Sequence, residues 1–301
     1  MQTISKIPFS LCAMATALLL SACGGSEPAS TTPAKPSSDA ATTSNSGSSD
    51  ATFVVGSDAT YAPFEYQDDK GQVIGFSKEV MQAVADKAGF KVQFVNKPWE
   101  GIFETLNTGD SDIISSSVTI TEERKAQMDF SEPYFEATQM IAINDTKGAD
   151  IKSFEDLKKT QHLVSVQTGT TGDIVSQKLL GQESKQIKRF ESMPLALKEL
   201  LAGGVDASVG DNGVVQNFVT NNPEAKLRTI VDPSFEKEHY GFAIKKGRSD
   251  DLLNKINTGL AGIKSDGTYD KIYAKWFASE KPAATASPEA DGPASAASAA
   301  N

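Results

Sequence analysis

Short apolar runs alternate with amphipathic segments through the middle of the chain. Phe53 to Gly56 predicts a strand, and Ser77 to Ala88 carries apolar residues at helical spacing, with Ser77 as the expected N-cap. A strand is predicted over Lys91 to Val95, a helix over Ile102 to Leu106 and a strand over Asp112 to Ile114. This β-α-β order is typical of a largely parallel sheet covered by helices.

A second set of elements begins near Asp150, where Ser153 to Asp156 has the pattern of a capping box that opens a short helix. The later elements are strands over 162–166, 186–190, 205–209 and 239–245, and helices over 172–180, 194–202, 212–220, 249–264 and 268–277. Two α/β lobes fit this length better than one large sheet. The cleft between such lobes is the expected ligand site.

The N-terminal segment is typical of a bacterial lipoprotein signal. Its apolar run, Phe9 to Leu20, is too short to span a bilayer comfortably, and Leu20-Ser21-Ala22-Cys23 resembles a lipobox. We therefore predict a signal peptide over residues 1–22 and lipidation of Cys23, with an ordinary secretory signal as the alternative. The chain's other cysteine lies in the removed segment, so the folded domain would hold no thiol and no disulfide.

Two segments lack hydrophobic periodicity. Residues 23–50 and 280–301 are rich in Ser, Ala and Pro, and we expect a disordered tether after the lipidated cysteine and a disordered tail at the end. The globular part is then about 51–280.

Composition and motifs exclude several classes of function. The 301 residues carry a net charge of -10 at pH 7, which argues against binding nucleic acid or anionic lipid by charge. Neither a glycine-rich dinucleotide motif nor a phosphate-binding loop is present, and His162 and His239 are too few for most metal sites or a His-based triad. We expect no metal, no cofactor and no catalytic residue, and hence no enzyme.

Four segments at strand ends carry polar chemistry. They are Val55 to Tyr66, Ser115 to Arg124, Val166 to Asp173 and Val209 to Asn212. Hydroxyls followed by an arginine suit a carboxylate, and backbone N–H groups at a helix start favour an anion. Asp211 is either an N-cap or a carboxylate for an ammonium group. Taken alone, each segment also fits a solvated loop, a simple turn or a cap.

Together, five motifs in this order resemble the polar amino-acid solute-binding proteins of bacterial ABC importers, family 3, over Phe53 to Phe277. The motifs are Asp58 to Glu65, Thr119 to Arg124, Asp129 to Tyr134, Gly203 to Ala207 and Gly267 to Tyr273. The resemblance implies an α/β fold of the type II periplasmic binding protein, with two lobes joined by two crossing strands. Lobe 1 would be residues 51–137 and 240–279, and lobe 2 residues 141–235.

The resemblance also assigns roles in binding the main chain of an amino acid. Arg124 matches the residue that grips the α-carboxylate, assisted by Thr119 and by the N–H groups of Thr170 and Thr171. A second group would hold the α-ammonium, namely Asp211 and the backbone carbonyl of Ser117, a position where many members have Gly. The serine-rich run looks most like the lysine/arginine/ornithine-binding branch.

Side-chain selectivity is expected from Asp58, Tyr61, Trp99, Ser116 and Gln167. Asp58 suits a donor-rich ligand end, and the two aromatic residues suit a flat or aliphatic chain with cation–π attraction. This favours arginine or lysine. Glutamine remains an alternative because a carboxylate also accepts from an amide, and Gln167 both donates and accepts.

The resemblance further implies an extracytoplasmic receptor, on the periplasmic side in a Gram-negative cell, that binds a free amino acid and works with an ABC permease and its ATPase. We expect a lipid-anchored monomer with no nucleic-acid partner. A cyclohexadienyl-dehydratase-like enzyme shares the architecture, but the sequence offers no specific proton donor for it.

Overall fold

The computed structural model describes residues 52–159 and 162–277. The predicted signal peptide over 1–22, the lipidated Cys23 with its tether up to residue 50, and the tail over 280–301 lie outside these residues.

The strands of the described residues are mostly short. In chain order they are β1 (Thr52–Ser57), β2 (Thr60–Tyr61), β3 (Glu65–Gln67), β4 (Val73–Ile74), β5 (Lys91–Asn96), β6 (Ile113–Ile114), β7 (Met128–Phe130), β8 (Phe135–Asn144), β9 (Val164–Gln167), β10 (Ile187–Phe190), β11 (Ala207–Asp211), β12 (Leu227–Ile230), β13 (Lys237–Tyr240) and β14 (Ala243–Lys245).

The helices of the described residues cover the sheets, and the longer ones are amphipathic. In chain order they are α1 (Phe76–Ala88), α2 (Glu104–Thr108), α3 (Glu122–Gln127), α4 (Asp156–Lys159), α5 (Thr171–Leu180), α6 (Met193–Leu201), α7 (Asn212–Thr220), α8 (Leu252–Ser265) and α9 (Thr268–Phe277).

Two large sheets define two lobes, which confirms the predicted fold class. The sheet of lobe 1 has the order β5-β1-β6-β14-β7, and that of lobe 2 the order β10-β9-β11-β8-β12. Neighbouring strands of βαβ units are parallel, but β14 runs antiparallel to β6 and β7, and β8 runs antiparallel to β11 and β12. The sheets are therefore mixed rather than largely parallel, because β8, which carries the chain into lobe 2, and β14, which follows its return to lobe 1, run against their neighbours.

The hinge is a pair of antiparallel strands. The ten-residue strand β8 begins against β13, with Phe135 opposite Tyr240 and Thr138 opposite Lys237, and then continues into the sheet of lobe 2. The single strand predicted over 239–245 is wrong. Two strands occupy this segment instead: β13 ends at Tyr240 and belongs to the hinge, whereas β14 begins at Ala243 and belongs to the sheet of lobe 1.

Aromatic rings fix the point at which the hinge strands leave lobe 1. The ring of Phe64 lies 4.8 Å from that of Phe135 and 5.4 Å from that of Tyr240, both in edge contact. Phe76 and Phe277 pack on the same cluster, with their centroids 6.1 and 5.5 Å from Phe64. Such pairs add to ordinary apolar burial, so the start of β8 and the end of β13 are tied to one core.

The start of α1 differs from the prediction. Ser77 is not the N-cap, because the helix begins at Phe76 and the preceding residue is Gly75. Ser77 is buried instead and accepts a hydrogen bond from the Tyr134 hydroxyl at 3.0 Å. Gly75 has φ 126°, and a Cβ there would lie 2.2 Å from the carbonyl oxygen of Phe64, so only glycine fits this approach.

The short strands β2, β3 and β4 form a separate three-stranded sheet that the sequence pattern did not predict. Strands of two or three residues are too short to show an alternation of apolar and polar positions. Among residues 52–159 and 162–277, no helix combines the length and hydropathy that crossing a bilayer requires.

The close packing of α8 on α1 gives a stability prediction. A Cβ on Gly259 would lie 2.4 Å from the backbone carbonyl oxygen of Val84, which cannot move without shifting α1. We expect Gly259→Ala to lower the free energy of unfolding by about 2 kcal/mol or more in urea denaturation.

The matched control lies one turn further along the same helix. A Cβ on Gly262 would meet only the Lys87 side chain, at 2.8 Å from its Cε, and that chain can swing away. Gly262→Ala should be neutral or stabilising because alanine favours helix. Equal losses in the two variants would contradict this view of the α1–α8 contact.

Candidate functional site

All eleven residues predicted to contact a ligand line one cavity between the lobes. Its empty space is about 310 Å³, counting the part open to solvent. The lining residues are Asp58, Tyr61, Trp99, Ser116, Ser117, Thr119, Arg124, Gln167, Thr170, Thr171 and Asp211.

Asp58 follows β1 and is held from both lobes. One carboxylate oxygen accepts from the Thr60 hydroxyl at 3.0 Å, and the other accepts from Nε2 of Gln167 at 3.0 Å. Its backbone N–H donates to the Ser116 hydroxyl at 2.9 Å. Asp58 is only 5% exposed, and this burial raises the pKa of its carboxyl. Since Gln167 belongs to β9 of lobe 2, the contact crosses the cleft.

Two threonine caps bring helix starts to the cavity. The Thr121 hydroxyl accepts from the N–H of Arg124 at 3.1 Å at the start of α3. The Thr170 hydroxyl accepts from the N–H of Asp173 at 3.5 Å at the start of α5. These caps place Arg124 in the first turn of α3 and Thr171 at the first position of α5, on opposite lobes.

Arg124 is buried and its guanidinium also spans the cleft. It donates to the carbonyl oxygen of Thr119 at 2.9 Å in lobe 1 and to that of Gly169 at 3.4 Å in lobe 2. Its guanidinium carbon lies 5.5 Å from the ring of Trp99 and 5.4 Å from that of Phe103, within cation–π range. Burial lowers the pKa of Arg124 from its ordinary value, yet a guanidinium remains charged in proteins.

Asp211 ends β11 and stands before α7, but its carboxylate does not cap that helix. It accepts from the Tyr240 hydroxyl at 2.5 Å and from Nε2 of Gln139 at 2.7 Å. Burial, followed by the charge of Glu238, raises the pKa of Asp211 to about 6. Asp211 therefore does not act as an N-cap, and it lines the cavity instead.

Ser117 has φ 47°, in the left-handed region that favours glycine. This backbone conformation gives a physical reason for the glycine that many members of the resembling family carry at this position. Ser116 and Ser117 are both buried beside Asp58 and Thr119 in the loop after β6.

Sequence reasoning missed a polar cluster behind the cavity at the hinge. Gln139 of β8 is 1% exposed, and its Nε2 lies within 3.0 Å of oxygens of Asp211, Thr171 and Glu238. The available signal was Gln139 itself, a polar residue at the edge of the apolar run Met140 to Ile143. Glu238 gave no signal because it lies in a short strand between two other charged or polar residues.

The charges around the cavity do not balance. Two carboxylates, Asp58 and Asp211, line it against a single guanidinium, Arg124, and Glu238 stands behind Asp211 as a third carboxylate. Glu65, nearby, is fully buried, and burial raises the pKa of its carboxyl well above the ordinary value. Within the part of the chain that the structure describes, no cluster of potential metal ligands is present.

Comparison with known proteins places these features in a family. A model of the bacterial extracellular solute-binding proteins, family 3, matches residues 53–279. A probable histidine-binding protein of Neisseria gonorrhoeae is 44% identical over 265 residues, covering 88% of this chain and 93% of that protein.

Solved structures agree in fold. The arginine-, lysine-, histidine-binding protein ArtJ of Geobacillus stearothermophilus is 40% identical, with a TM-score of 0.71 over 77% of this chain and 97% of that one. The ancestral amino acid-binding protein AncCDT-1, a precursor of cyclohexadienyl dehydratase, is 41% identical, with a TM-score of 0.67 over 75% of this chain and 95% of that one.

The raised pKa of Asp211 predicts that its ionised carboxylate lowers the stability of the fold. The carboxyl pKa is about 6 in the folded chain against 3.8 as its ordinary value, so ionising Asp211 at neutral pH opposes folding. Asp211→Asn can still accept from Gln139 and donate to Tyr240, and should raise the free energy of unfolding of the ligand-free protein by about 2 kcal/mol at pH 7.

Urea denaturation at pH 7 and at pH 4 tests this, with the exposed Asp69→Asn as control. The gain should vanish near pH 4, where Asp211 is protonated in the folded protein. A loss of stability at pH 7, or a gain that persists at pH 4, would contradict the assignment.

Proposed function

This chain belongs to family 3 of the bacterial extracellular solute-binding proteins, and on that premise we propose that it delivers a basic amino acid, arginine or lysine, to an ABC importer. The observation that carries the proposal is the charge imbalance of the cavity. Two lining carboxylates and one guanidinium complement a ligand with one carboxylate and two cations, which is the charge pattern of arginine and lysine at neutral pH.

The main-chain groups of the ligand have partners on both lobes. The Arg124 guanidinium suits the α-carboxylate because it presents paired N–H donors to two oxygens. The start of α5 at Thr171, with the cap Thr170, adds backbone N–H groups and a favourable helix end. Asp211 suits the α-ammonium, with the Ser117 carbonyl as a second acceptor. We propose these contacts as the part of the site common to any α-amino acid, with the Thr119 carbonyl oxygen accepting a hydrogen bond from the Arg124 guanidinium.

Asp58 supports the basic side-chain preference. It is buried, and no lining cation faces it besides Arg124, which the ligand carboxylate would engage. A cationic side-chain end would therefore restore charge balance at Asp58, with Tyr61, Trp99, Ser116 and Gln167 around the aliphatic part. Two of the relatives bear names that mention histidine, and one also mentions arginine and lysine, so protonated histidine belongs to the same class of ligand.

Lobe closure follows from this placement of charges. The groups that hold the ligand are divided between lobe 1, residues 51–137 and 240–279, and lobe 2, residues 141–235. A ligand bound by both lobes has higher affinity for the closed form and shifts the population toward it. The antiparallel pair β8–β13 is the natural place for that rotation.

Glutamine is the second candidate, and one contact favours it. The Gln167 amide donates to Asp58 at 3.0 Å, which is the hydrogen bond that the amide of a glutamine ligand would make. A glutamine ligand would leave the net negative charge of the cavity unbalanced, so we rank it below arginine and lysine.

We propose that the chain acts as a binding protein and not as an enzyme. The relatives with matching length bear the names of binding proteins. The ancestral neighbour named as a precursor of a dehydratase is itself called an amino acid-binding protein. Formation of phenylalanine from arogenate by the purified protein would favour the enzymatic alternative.

We further propose a lipid anchor at Cys23, with residues 1–22 removed, the tether over 23–50 as a spacer and the protein held as a monomer on the extracytoplasmic side of a bacterial membrane, which is the periplasmic side in a Gram-negative cell. The support is the lipobox pattern, and the transport role implies a permease and an ATPase as partners. Mass spectrometry of the mature N-terminal peptide tests the lipid.

Asp58→Asn tests the function and its specificity together. We expect calorimetry to show wild-type binding of arginine or lysine and at least about a 30-fold loss in this variant, because removing one member of a buried charge pair costs about 2 kcal/mol or more. Glutamine affinity should change much less, since an asparagine oxygen still accepts from an amide.

The control is Asp69→Asn, which removes the same charge from an exposed position of the neighbouring turn. No response of the wild-type protein to any amino acid would overturn the proposed function. Arginine affinity that is equal in wild type and Asp58→Asn would overturn the basic specificity.

A further inference from the structure

Glu238 joins both lobes to the hinge through three hydrogen bonds. Its Oε2 accepts from the hydroxyl of Thr119 in lobe 1 at 2.8 Å and from the hydroxyl of Thr171 in lobe 2 at 2.8 Å. Its Oε1 accepts from Nε2 of Gln139 in the hinge strand β8, also at 2.8 Å. One half-buried carboxylate on β13 thus holds three structural parts that must move relative to one another when the cleft opens.

A hydroxyl has one hydrogen to donate, and this limits what the two threonines can do. In the closed arrangement, Thr119 and Thr171 both direct that hydrogen to Glu238. Neither hydroxyl can then donate to the α-carboxylate of a bound amino acid at the same time. The grip on the carboxylate is left to Arg124 and to backbone N–H groups, while the two hydroxyls serve closure.

Glu238 also acts on the ammonium side of the cavity. Its Oε1 and Oδ1 of Asp211 accept from the same Gln139 nitrogen, so the two carboxylates are close neighbours. The charge of Glu238 is the largest cause, after burial, of the raised pKa of Asp211. The charged and titratable groups that influence this pair are Tyr61, Arg124 and Tyr240, with Glu65 further inside, while Lys237 and His239 of the same strand pair with Glu136.

We propose that Glu238 is a positioning residue of the amino-acid site: from the hinge strand it holds Thr119 and Thr171 together in the closed form and shares the Gln139 amide with Asp211. The inference rests on the proposed function, since it concerns the binding of an amino acid. Glu238 does not line the cavity, and it acts through the residues that do.

The first test is a double-mutant cycle on arginine affinity, measured by calorimetry. Glu238→Gln keeps the shape of the side chain but weakens the hydrogen bonds from both threonines, and should raise the Kd about tenfold. Thr119→Val and Thr171→Val should each raise it by a similar factor. In the Glu238→Gln background, either threonine change should have little further effect, because its partner is already altered.

The second test is the dependence of affinity on pH. Wild-type affinity should fall as the pH drops below about 6, where Asp211 takes up a proton and no longer balances the α-ammonium. Glu238→Gln removes a neighbouring negative charge, so this fall in affinity at low pH, the acid limb of the profile, should move to lower pH by about one unit. A residue that only supported the packing of the hinge would leave the limb in place.

Glu236→Gln is the matched control, because it removes one negative charge from an exposed side chain just before β13. It should change neither the affinity nor the acid limb. Additive effects of Glu238→Gln with both Thr119→Val and Thr171→Val, or an unmoved acid limb, would overturn this inference while leaving the proposed function intact. A wild-type protein that binds no amino acid would overturn both.

Discussion

One buried guanidinium surrounded by an excess of buried carboxylates is the constraint on which the rest of this structure depends. Among residues 52–159 and 162–277, Arg124 is the sole cation lining the cavity, whereas Asp58 and Asp211 line it and Glu238 stands directly behind. Removing charges from water is costly unless each finds a partner of opposite sign. Burial, followed by the charge of Glu238, raises the pKa of Asp211 to about 6, and under the proposed function a cationic amino acid would supply the missing positive charge.

The fold divides the charged residues of the cavity between the two lobes. Each large sheet ends its strands at the cleft, so Asp58 and Arg124 come from lobe 1, while Gln167 and Asp211 come from lobe 2. The aromatic cluster around Phe64 ties the beginning of β8 and the end of β13 to lobe 1, so we expect a rotation of the lobes to be confined to the short stretch beyond it. Polar contacts across the cleft, such as Gln167 to Asp58, would then be made or lost together.

Much of this could be predicted from the sequence because the informative residues lie in local motifs. The eleven predicted contact residues meet at one cavity, since each follows a strand end or begins a helix whose position the βαβ order already fixes. The hinge cluster could not be found in this way. Gln139, Glu238 and Thr171 are distant in the chain and meet only because β13 returns beside β8. The division of residues 237–245 into β13 and β14 could not be predicted for the same reason. The two strands are nearly continuous in sequence but pair with different strands, β8 and β6.

Whether the excess negative charge of the cavity selects the ligand is tested most directly by comparing arginine with citrulline. Citrulline keeps the shape and length of arginine but replaces the guanidinium with an uncharged ureido group. Isothermal titration at pH 7.5 should show arginine binding at least about 30-fold more tightly, as expected when a buried carboxylate loses a charged partner. Equal dissociation constants for the two ligands would show that the excess negative charge of the cavity does not select the ligand.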